Sequence, residues 1–375
     1  MSEVKDLSSL RNELSKKDTE LVALIADRMR LIREVAEYKA ANDLPSFDRE
    51  REGALLDTLL ARGAEAGVSS DVIRDVFASL FEASRLDQRR LLQKRSDLFS
   101  VGVIGGSQGM GAFVAKVLRS GGFEVETMGL DEGRQAEAVA AANDVVILAV
   151  PIPATMDMAR RVGPRVRPGG CLMDITSIKR KPLAAMLENT PDTVDVVGTH
   201  PMFGPHGLDF DRQKVVLCKG RGETWFPRIK RLYESFGAET IEATADEHDQ
   251  QMALIQVLIH EKTLVLGSTL ERLKADLGRS LQFASPIYRT ELAMIGRMFS
   301  QRAELYADIL TANEDALTLS HVFEQEAGHF ARAIAMSDRD TVLRRFRQIA
   351  DYMEDFAAWA KTQSDAILDE LVRRG

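Results

Sequence analysis

The chain has 375 residues, a formal net charge of −8, and is 45% hydrophobic and 28% charged. That length exceeds one ordinary hydrophobic core and points to two or three domains, and the acidic balance argues against non-specific nucleic-acid binding. Two cysteines, Cys171 and Cys218, with no CxxC pair, fit a reducing cytoplasm and exclude a disulfide framework or a four-cysteine zinc site. The chain opens without an apolar targeting stretch, and no apolar run reaches the roughly 18 residues of a membrane span.

Residues 1–97 read as all helix. Leu10 to Lys39 contains neither Gly nor Pro. Steps of three and four land on Arg11, Leu14, Asp18, Leu21, Ile25, Arg28, Ile32, Val35 and Lys39, one helical face held for about eight turns. Charges on a buried stripe are costly unless something pairs with them. Arg28, between Ile25 and Ile32, is expected to point inward, and the three cations of the stripe suggest a site for a small polyanion between helices. The plain alternative is that their aliphatic stems pack while their heads reach water. Leu44-Pro45 breaks this helix. Asp48 is a good N-cap for a second helix carrying Arg51 and Glu52, which Gly63 and Gly67 end. A third helix starts at Ser69, Ser70 and Asp71, and places Ser84 and Gln88 on a stripe with Ile73, Phe77, Leu80 and Leu91. Three such helices cannot enclose a core alone, so the long one is expected to pair with a copy of itself. Lys94 to Asp97 reads as a linker.

From Phe99 strands and helices alternate, which predicts an α/β dinucleotide-binding domain of Rossmann type over 98–244, with a parallel sheet covered on both faces. The expected strands include Val101–Ile104, 124–128, 144–150, 171–175, 194–197 and 215–218. The turn Gly105-Gly106-Ser107-Gln108-Gly109-Met110-Gly111 follows the first of them and opens a helix, where backbone N–H groups can approach a pyrophosphate. Gly106 and Gly111 fit the first and third places of the G-x-G-x-x-G pattern, while Gln108 holds the second. The alternative is a simple tight turn. Asp131, just beyond the second strand, is placed to hold a ribose hydroxyl, which favours NAD, and Arg134 nearby leaves NADP open. From about Ala245 the strands vanish, and 245–375 reads as an all-helical domain.

The stretch 197–205 ends in THPMFGP behind a strand, at the carboxyl edge where ligands of such sheets bind. His200 is the candidate general base and His206 the weaker one; a loop histidine also serves often as a plain hydrogen-bonding group. No histidine pair has the HxxxH spacing of a metal site. Ser177, in Asp174-Ile175-Thr176-Ser177-Ile178-Lys179, reaches the same edge as a substrate hydrogen-bonding group or as the N-cap of the next helix. Arg289 either clamps a carboxylate or pairs with Glu291 or Glu304.

With these motifs named, nearly the full length resembles the bifunctional chorismate mutase/prephenate dehydrogenases of tyrosine biosynthesis, of the T-protein type. Arg11, Arg28, Lys39, the run 48–52, Ser84 and Gln88 stand at the spacing of the all-helical chorismate mutases. GGSQGMG, AVPI at 149–152, DITSIK, THPMFGP, EHDQQMA at 247–253, SPIYRTELAMIGR at 285–297 and ELYADI at 304–309 resemble prephenate dehydrogenases. The resemblance implies three modules: a three-helix chorismate mutase at 1–97, a Rossmann-like NAD(P)-binding domain at 98–244, and a helical dimerisation domain at 245–375.

In the mutase it implies that Arg28 and Arg11 hold the carboxylates of chorismate, Arg11 from the partner subunit, with Arg51 assisting. Lys39 and Gln88 face the ether oxygen, Glu52 and Asp48 take the ring hydroxyl and nearby donors, and Ser84 joins the substrate contacts. In the dehydrogenase it implies His200 as base, Ser177 at the hydroxyl, Arg289 on a carboxylate, His260 near the substrate, and Val150 and Pro151 beside the glycine loop on the cofactor. The implied product is 4-hydroxyphenylpyruvate, the implied assembly a cytoplasmic homodimer, and tyrosine a feedback inhibitor at the dehydrogenase site or its interfaces. Gln108 and Gly129, the latter where relatives often carry an acidic residue, depart from the family pattern and bear on the cofactor. A dehydrogenase whose N-terminal helices only dimerise it is the alternative, and arogenate in place of prephenate stays open.

Overall fold

A computed structural model of the chain describes residues 6–42, 49–92, 98–129, 135–205 and 210–373. Two compact units emerge, one of Met1–Val150, Met158–Ile175 and Met186–Glu242, the other of Pro151–Asp157, Thr176–Ala185 and Ala243–Gly375.

The first unit begins with three helices, α1 (Leu7–Ala41), α2 (Arg49–Glu65) and α3 (Ser70–Leu92). The side chain of Asp6 caps α1 by accepting from the Ser9 N–H at 2.8 Å. α3 packs on both α1 and α2. The expected inward stripe of α1 is covered only in part: Ile25, Arg28, Ile32 and Lys39 are half-buried, while Arg11, Leu14, Asp18, Leu21 and Val35 are exposed. The physical reason is length, since α2 and α3 together offer too little surface to cover eight turns.

The sheet follows: β1 (Ser100–Ile104), α4 (Gly109–Ser120), β2 (Glu124–Met128), α5 (Ala136–Ala142), β3 (Val145–Leu148), α6 (Ile152–Val162), β4 (Cys171–Asp174), α7 (Arg180–Asn189), β5 (Asp195–Pro201), β6 (Lys214–Arg221), α8 (Trp225–Ser235) and β7 (Glu239–Glu242). The strand order is β2-β1-β3-β4-β5-β6-β7. The pairs from β2 to β5 are parallel, as expected, but β6 runs antiparallel to β5, with β7 parallel to β6. The sequence predicts a parallel sheet; among the described residues no helix separates β5 from β6, and a chain returning without a crossover helix pairs antiparallel. That pairing also lengthens β5 through Pro201. Phe99, Phe123, Phe210, Phe236 and Trp225 interlock in edge-on and tilted contacts in the core of this unit.

The second unit is helical: α9 (Ala245–Met252), a π-helical turn at Ala253–Leu258, α10 (Ile259–Arg272), α11 (Leu277–Leu281), α12 (Pro286–Phe299), α13 (Ala303–Ala312), α14 (Ala316–Ala335), α15 (Arg339–Tyr352) and α16 (Glu354–Arg373). Thr244, Asp276, Ser285 and Asp338 cap α9, α11, α12 and α15 with their side chains. Among the described residues no helix is long and apolar enough to cross a membrane.

Candidate active sites

On the helical module, Arg28 does turn inward. Its Nη1 donates to the Ser84 hydroxyl at 2.6 Å and to the Leu80 carbonyl at 3.4 Å, and its guanidinium lies 5.7 Å from the centre of the Phe81 ring. Burial lowers the Arg28 pKa from its ordinary value, partly offset by the charge of Glu52. Ser84 and Gln88, one turn apart on α3, are both buried. Glu52 accepts from Arg85 Nη1 at 2.8 Å. Arg28, Glu52, Ser84 and Gln88 thus come from three helices onto neighbouring faces. Lys39 lies about three turns, roughly 16 Å, beyond Arg28 along α1. Arg11 lies about 25 Å before Arg28 at 1.5 Å per residue, and is exposed, as is Arg51. Asp48 lies outside the described residues. Arg85 escaped the sequence reading because it falls off the Ser84–Gln88 stripe and resembles a surface cation there.

At the sheet, the glycine loop follows β1 as expected. Gly105 has φ +91° and Gly109 φ +56°, conformations that side chains disfavour. A Cβ on Gly106 would press on Thr127 at 2.8 Å, and one on Gly111 would fall on the Gly105 carbonyl. These glycines therefore serve the tight turn and the close seat of α4 on the strands. Gln108 stands at the N-cap of α4 in extended conformation and forms no side-chain cap, and Ser107, Gln108 and Gly109 are exposed while Met110 is half-buried. The first N–H groups of α4 consequently open onto an exposed loop, a fit to the pyrophosphate of a dinucleotide. Half-buried Val150 and exposed Pro151 follow β3 on the adjacent connection. Asp131 lies outside the described residues, as does His206.

His200 is buried within β5, opposite Val216 of β6, rather than in a loop behind a strand. The antiparallel β6 pairs this segment through to Pro201 and so draws His200 into the strand that the sequence ends before it. His200 still stands at the carboxyl end of β5. Beside it, Thr199 donates to the Asp174 carbonyl at 2.7 Å and lies 3.4 Å from the Tyr233 hydroxyl. Burial pushes the Tyr233 phenol up to about 12.

In the second unit, Ser177 is half-buried in a bend. It is not the N-cap of α7, which starts three residues later. That end is capped by Asp249, whose carboxylate accepts the N–H groups of Lys179 at 2.7 Å and Arg180 at 3.0 Å. His248 Nδ1 lies 2.7 Å from the same carboxylate, and Asn313 Nδ2 donates to the Asp249 carbonyl at 2.9 Å. Burial raises the Asp249 pKa, but His248 and the two backbone N–H groups outweigh it and hold it below the usual carboxylate range. Arg180 adds ion pairs to Asp246 and Asp315. No local spacing announces this network, because its partners are some 70 residues apart.

His260, near the start of α10, meets the Tyr306 ring edge-on at 4.9 Å, and burial lowers its pKa, keeping the ring neutral at pH 7. Half-buried Arg289 on α12 makes no ion pair among the described residues; Glu291 pairs instead with Lys262, and Glu304 with Arg302.

Three family models match the chain in series: chorismate mutase type II over residues 10–89, the nucleotide-binding domain of prephenate dehydrogenase over 123–242, and its dimerization domain over 244–348. The T-protein of Haemophilus influenzae is 34% identical over 99% of this chain and 98% of its own. This chain belongs to the T-protein family. The T-protein of Enterobacter agglomerans is 33% identical over 97% of this chain and 98% of its own. The solved prephenate dehydrogenase of A. aeolicus, in complex with hydroxyphenyl propionate and NAD+, has a similar fold, with TM-score 0.54 at 20% identity over 68% of this chain and 98% of that one. The protein is therefore a bifunctional enzyme of tyrosine biosynthesis, a chorismate mutase and a prephenate dehydrogenase in one chain with a dimerisation domain.

Proposed function

We propose that residues 1–97 rearrange chorismate to prephenate, and that 98–244 with 245–375 oxidise and decarboxylate prephenate to 4-hydroxyphenylpyruvate. The mutase step is pericyclic, with no proton transfer and no covalent intermediate, so the protein contributes only by holding the reactive conformer and stabilising the ether oxygen as its bond breaks. Arg28 holds one carboxylate, and Arg11 of a partner subunit the other, with Arg51 assisting. Lys39 and Gln88 face the ether oxygen, and Glu52 and Asp48 take the ring hydroxyl. The observation that carries this reading is Arg28 itself, a half-buried cation between Ile25 and Ile32 already aimed by Ser84 at 2.6 Å.

In the dehydrogenase, His200 takes the proton of the ring hydroxyl whose carbon is oxidised, Ser177 holds that hydroxyl, Arg289 binds a carboxylate, and neutral His260 donates or accepts a hydrogen bond at the substrate. Loss of carbon dioxide then leaves the ring aromatic. The glycine loop from Gly105 to Gly111, with Asp131, Val150 and Pro151, holds NAD, which supplies the hydride acceptor when bound. The enzyme works as a cytoplasmic homodimer and is inhibited by tyrosine at the dehydrogenase site or its interfaces.

The test is chorismate supplied with NAD or NADP in parallel, following chorismate loss and cofactor reduction together. Loss of chorismate with reduction of NAD supports the whole reading. Loss of chorismate with no reduction of either cofactor overturns the prephenate assignment and makes arogenate the next substrate. Oxidation of added prephenate with chorismate untouched reduces the N-terminal helices to a dimerisation device. An inhibition curve that stays flat at high tyrosine removes the feedback role.

A further inference from the structure

One buried cation has no part in these assignments. Arg85, the residue after Ser84 on α3, spreads its guanidinium over two carboxylates: Nη1 donates to Glu52 Oε2 at 2.8 Å, and Nη2 lies 3.1 Å from Asp211 Oδ2. Glu52 comes from α2 of the mutase helices. Asp211 comes from the segment joining β5 to β6, and all three residues belong to the same compact unit. The side chains of Arg85 and Asp211 are only 9% and 11% exposed. Glu52 is 24% exposed, so the guanidinium and Asp211 carry most of the burial, and the use of such a bridge lies in fixing a geometry rather than in stability. The planar fork suits that task, since it can grip one carboxylate with each arm.

Asp211 is itself firmly placed. Phe210, immediately before it, is fully buried against Phe113, Phe203 and Tyr233 in the core of the sheet. One arm of Arg85 is therefore tied to the aromatic core of the dehydrogenase domain, and the other to a carboxylate of the mutase. The charge of Glu52 is also felt at Arg28 on α1.

We propose that Arg85 is a positioning residue for the mutase reaction, and that Asp211 of the dehydrogenase domain completes it by holding one arm of the guanidinium, so that the other presents Glu52 to the substrate. The proposal rests on the assignment of Glu52 to the ring hydroxyl of chorismate. Without Asp211, both arms of Arg85 can close on Glu52 in a bidentate pair, which draws the carboxylate away from the hydroxyl and occupies its lone pairs.

The experiment measures mutase and dehydrogenase kinetics of the full chain for Asp211→Asn, Arg85→Lys, Glu52→Gln and the double variant Asp211→Asn/Arg85→Lys. A ring-hydroxyl contact contributes to binding in ground and transition states alike, so the loss should fall on KM for chorismate. Asp211→Asn is expected to raise that KM about tenfold while kcat for prephenate oxidation and the melting temperature stay near wild type. Arg85→Lys, a point charge that cannot bridge two carboxylates, should behave alike, and the double variant should be no worse than Arg85→Lys alone, the signature of one shared interaction. Unchanged mutase kinetics in Asp211→Asn beside an impaired Glu52→Gln overturns the proposal and leaves the Glu52 assignment standing. Parallel loss of both activities with a lowered melting temperature overturns it too, and makes the triad a domain staple. Wild-type mutase kinetics in Glu52→Gln overturns the Glu52 assignment, and the proposal with it.

Discussion

Along α1, Leu14 is 64% exposed and Leu21 52%, whereas Val145, Val146, Ile147 and Leu148 of β3 are all at 1% or less. Both stretches are apolar where their structure calls for it, the helix along one face and the strand on both. The strand finds neighbours on either side, β1 and β4, and belongs to a sheet that carries its own connecting helices. The long helix finds α3 only along its C-terminal half, where Arg28 and Ala36 are covered. A hydrophobic period states which face is to be buried; it does not state which chain buries it. The sheet is covered by its own crossovers, while the helical module leaves much of its stripe, with Arg11, exposed.

Function offers the sharpest way to break this contrast. Arg28→Ala should lower mutase activity by about two to three orders of magnitude, the scale of removing a pre-aimed charge, with prephenate oxidation intact. His200→Asn should do the reverse, by about two to four orders. Steady-state assays of each activity on both variants decide it, and a folded variant that loses both activities would mean the regions are not separable. Stability offers the next. Ile147→Ala should cost about 2–5 kcal/mol in urea unfolding, as a large-to-small change in a closed core. Leu21→Ala should cost well under that at dilute concentration, yet raise the concentration at which the dimer forms in sedimentation. Equal unfolding losses for the two would erase the comparison.

The smallest effect concerns the second unit. Asp249, held below the usual carboxylate range mainly by His248 and two backbone N–H groups working against burial, contributes stability above its unfolded value of about 3.9. That contribution is lost as pH falls through its folded value. Asp249→Asn should flatten the acid limb of melting temperature against pH below about pH 5; a variant whose limb keeps the wild-type slope would deny the carboxylate this role.

Arg28, Ser84 and Gln88 were legible because a helix repeats on a fixed period, and a charge amid apolar neighbours must find a partner. The parallel strands β1, β3, β4 and β5 were legible as short runs buried on both faces, with Gly and Pro as punctuation. The direction of β6 was not, because VVLC reads alike whichever way it runs, and β7, with its mostly exposed ETIE, carries no apolar run at all. Nor could local pattern place Asp249 at the head of α7 or Asp211 on Arg85. Those are contacts of loop and helix end over long separations, set by the packing of the whole unit. His200 sits between the cases: its place at the carboxyl end of β5 was visible, and its burial depended on a strand whose direction was not.

The π-helical turn at Ala253–Leu258 has a consequence for angle. His248 and His260 stand twelve positions apart, and in an unbroken α-helix of 3.6 residues per turn they would point about a third of a turn away from each other. A π turn closes on a bond one residue wider and so takes in roughly one extra residue. The twelve positions then advance like eleven, almost three whole turns, and the two imidazoles come back into phase. The irregular turn works as a phase shifter: it keeps His248, the partner of the carboxylate that caps α7, and the histidine of α10 on one azimuth along a rod that would otherwise have wound them apart.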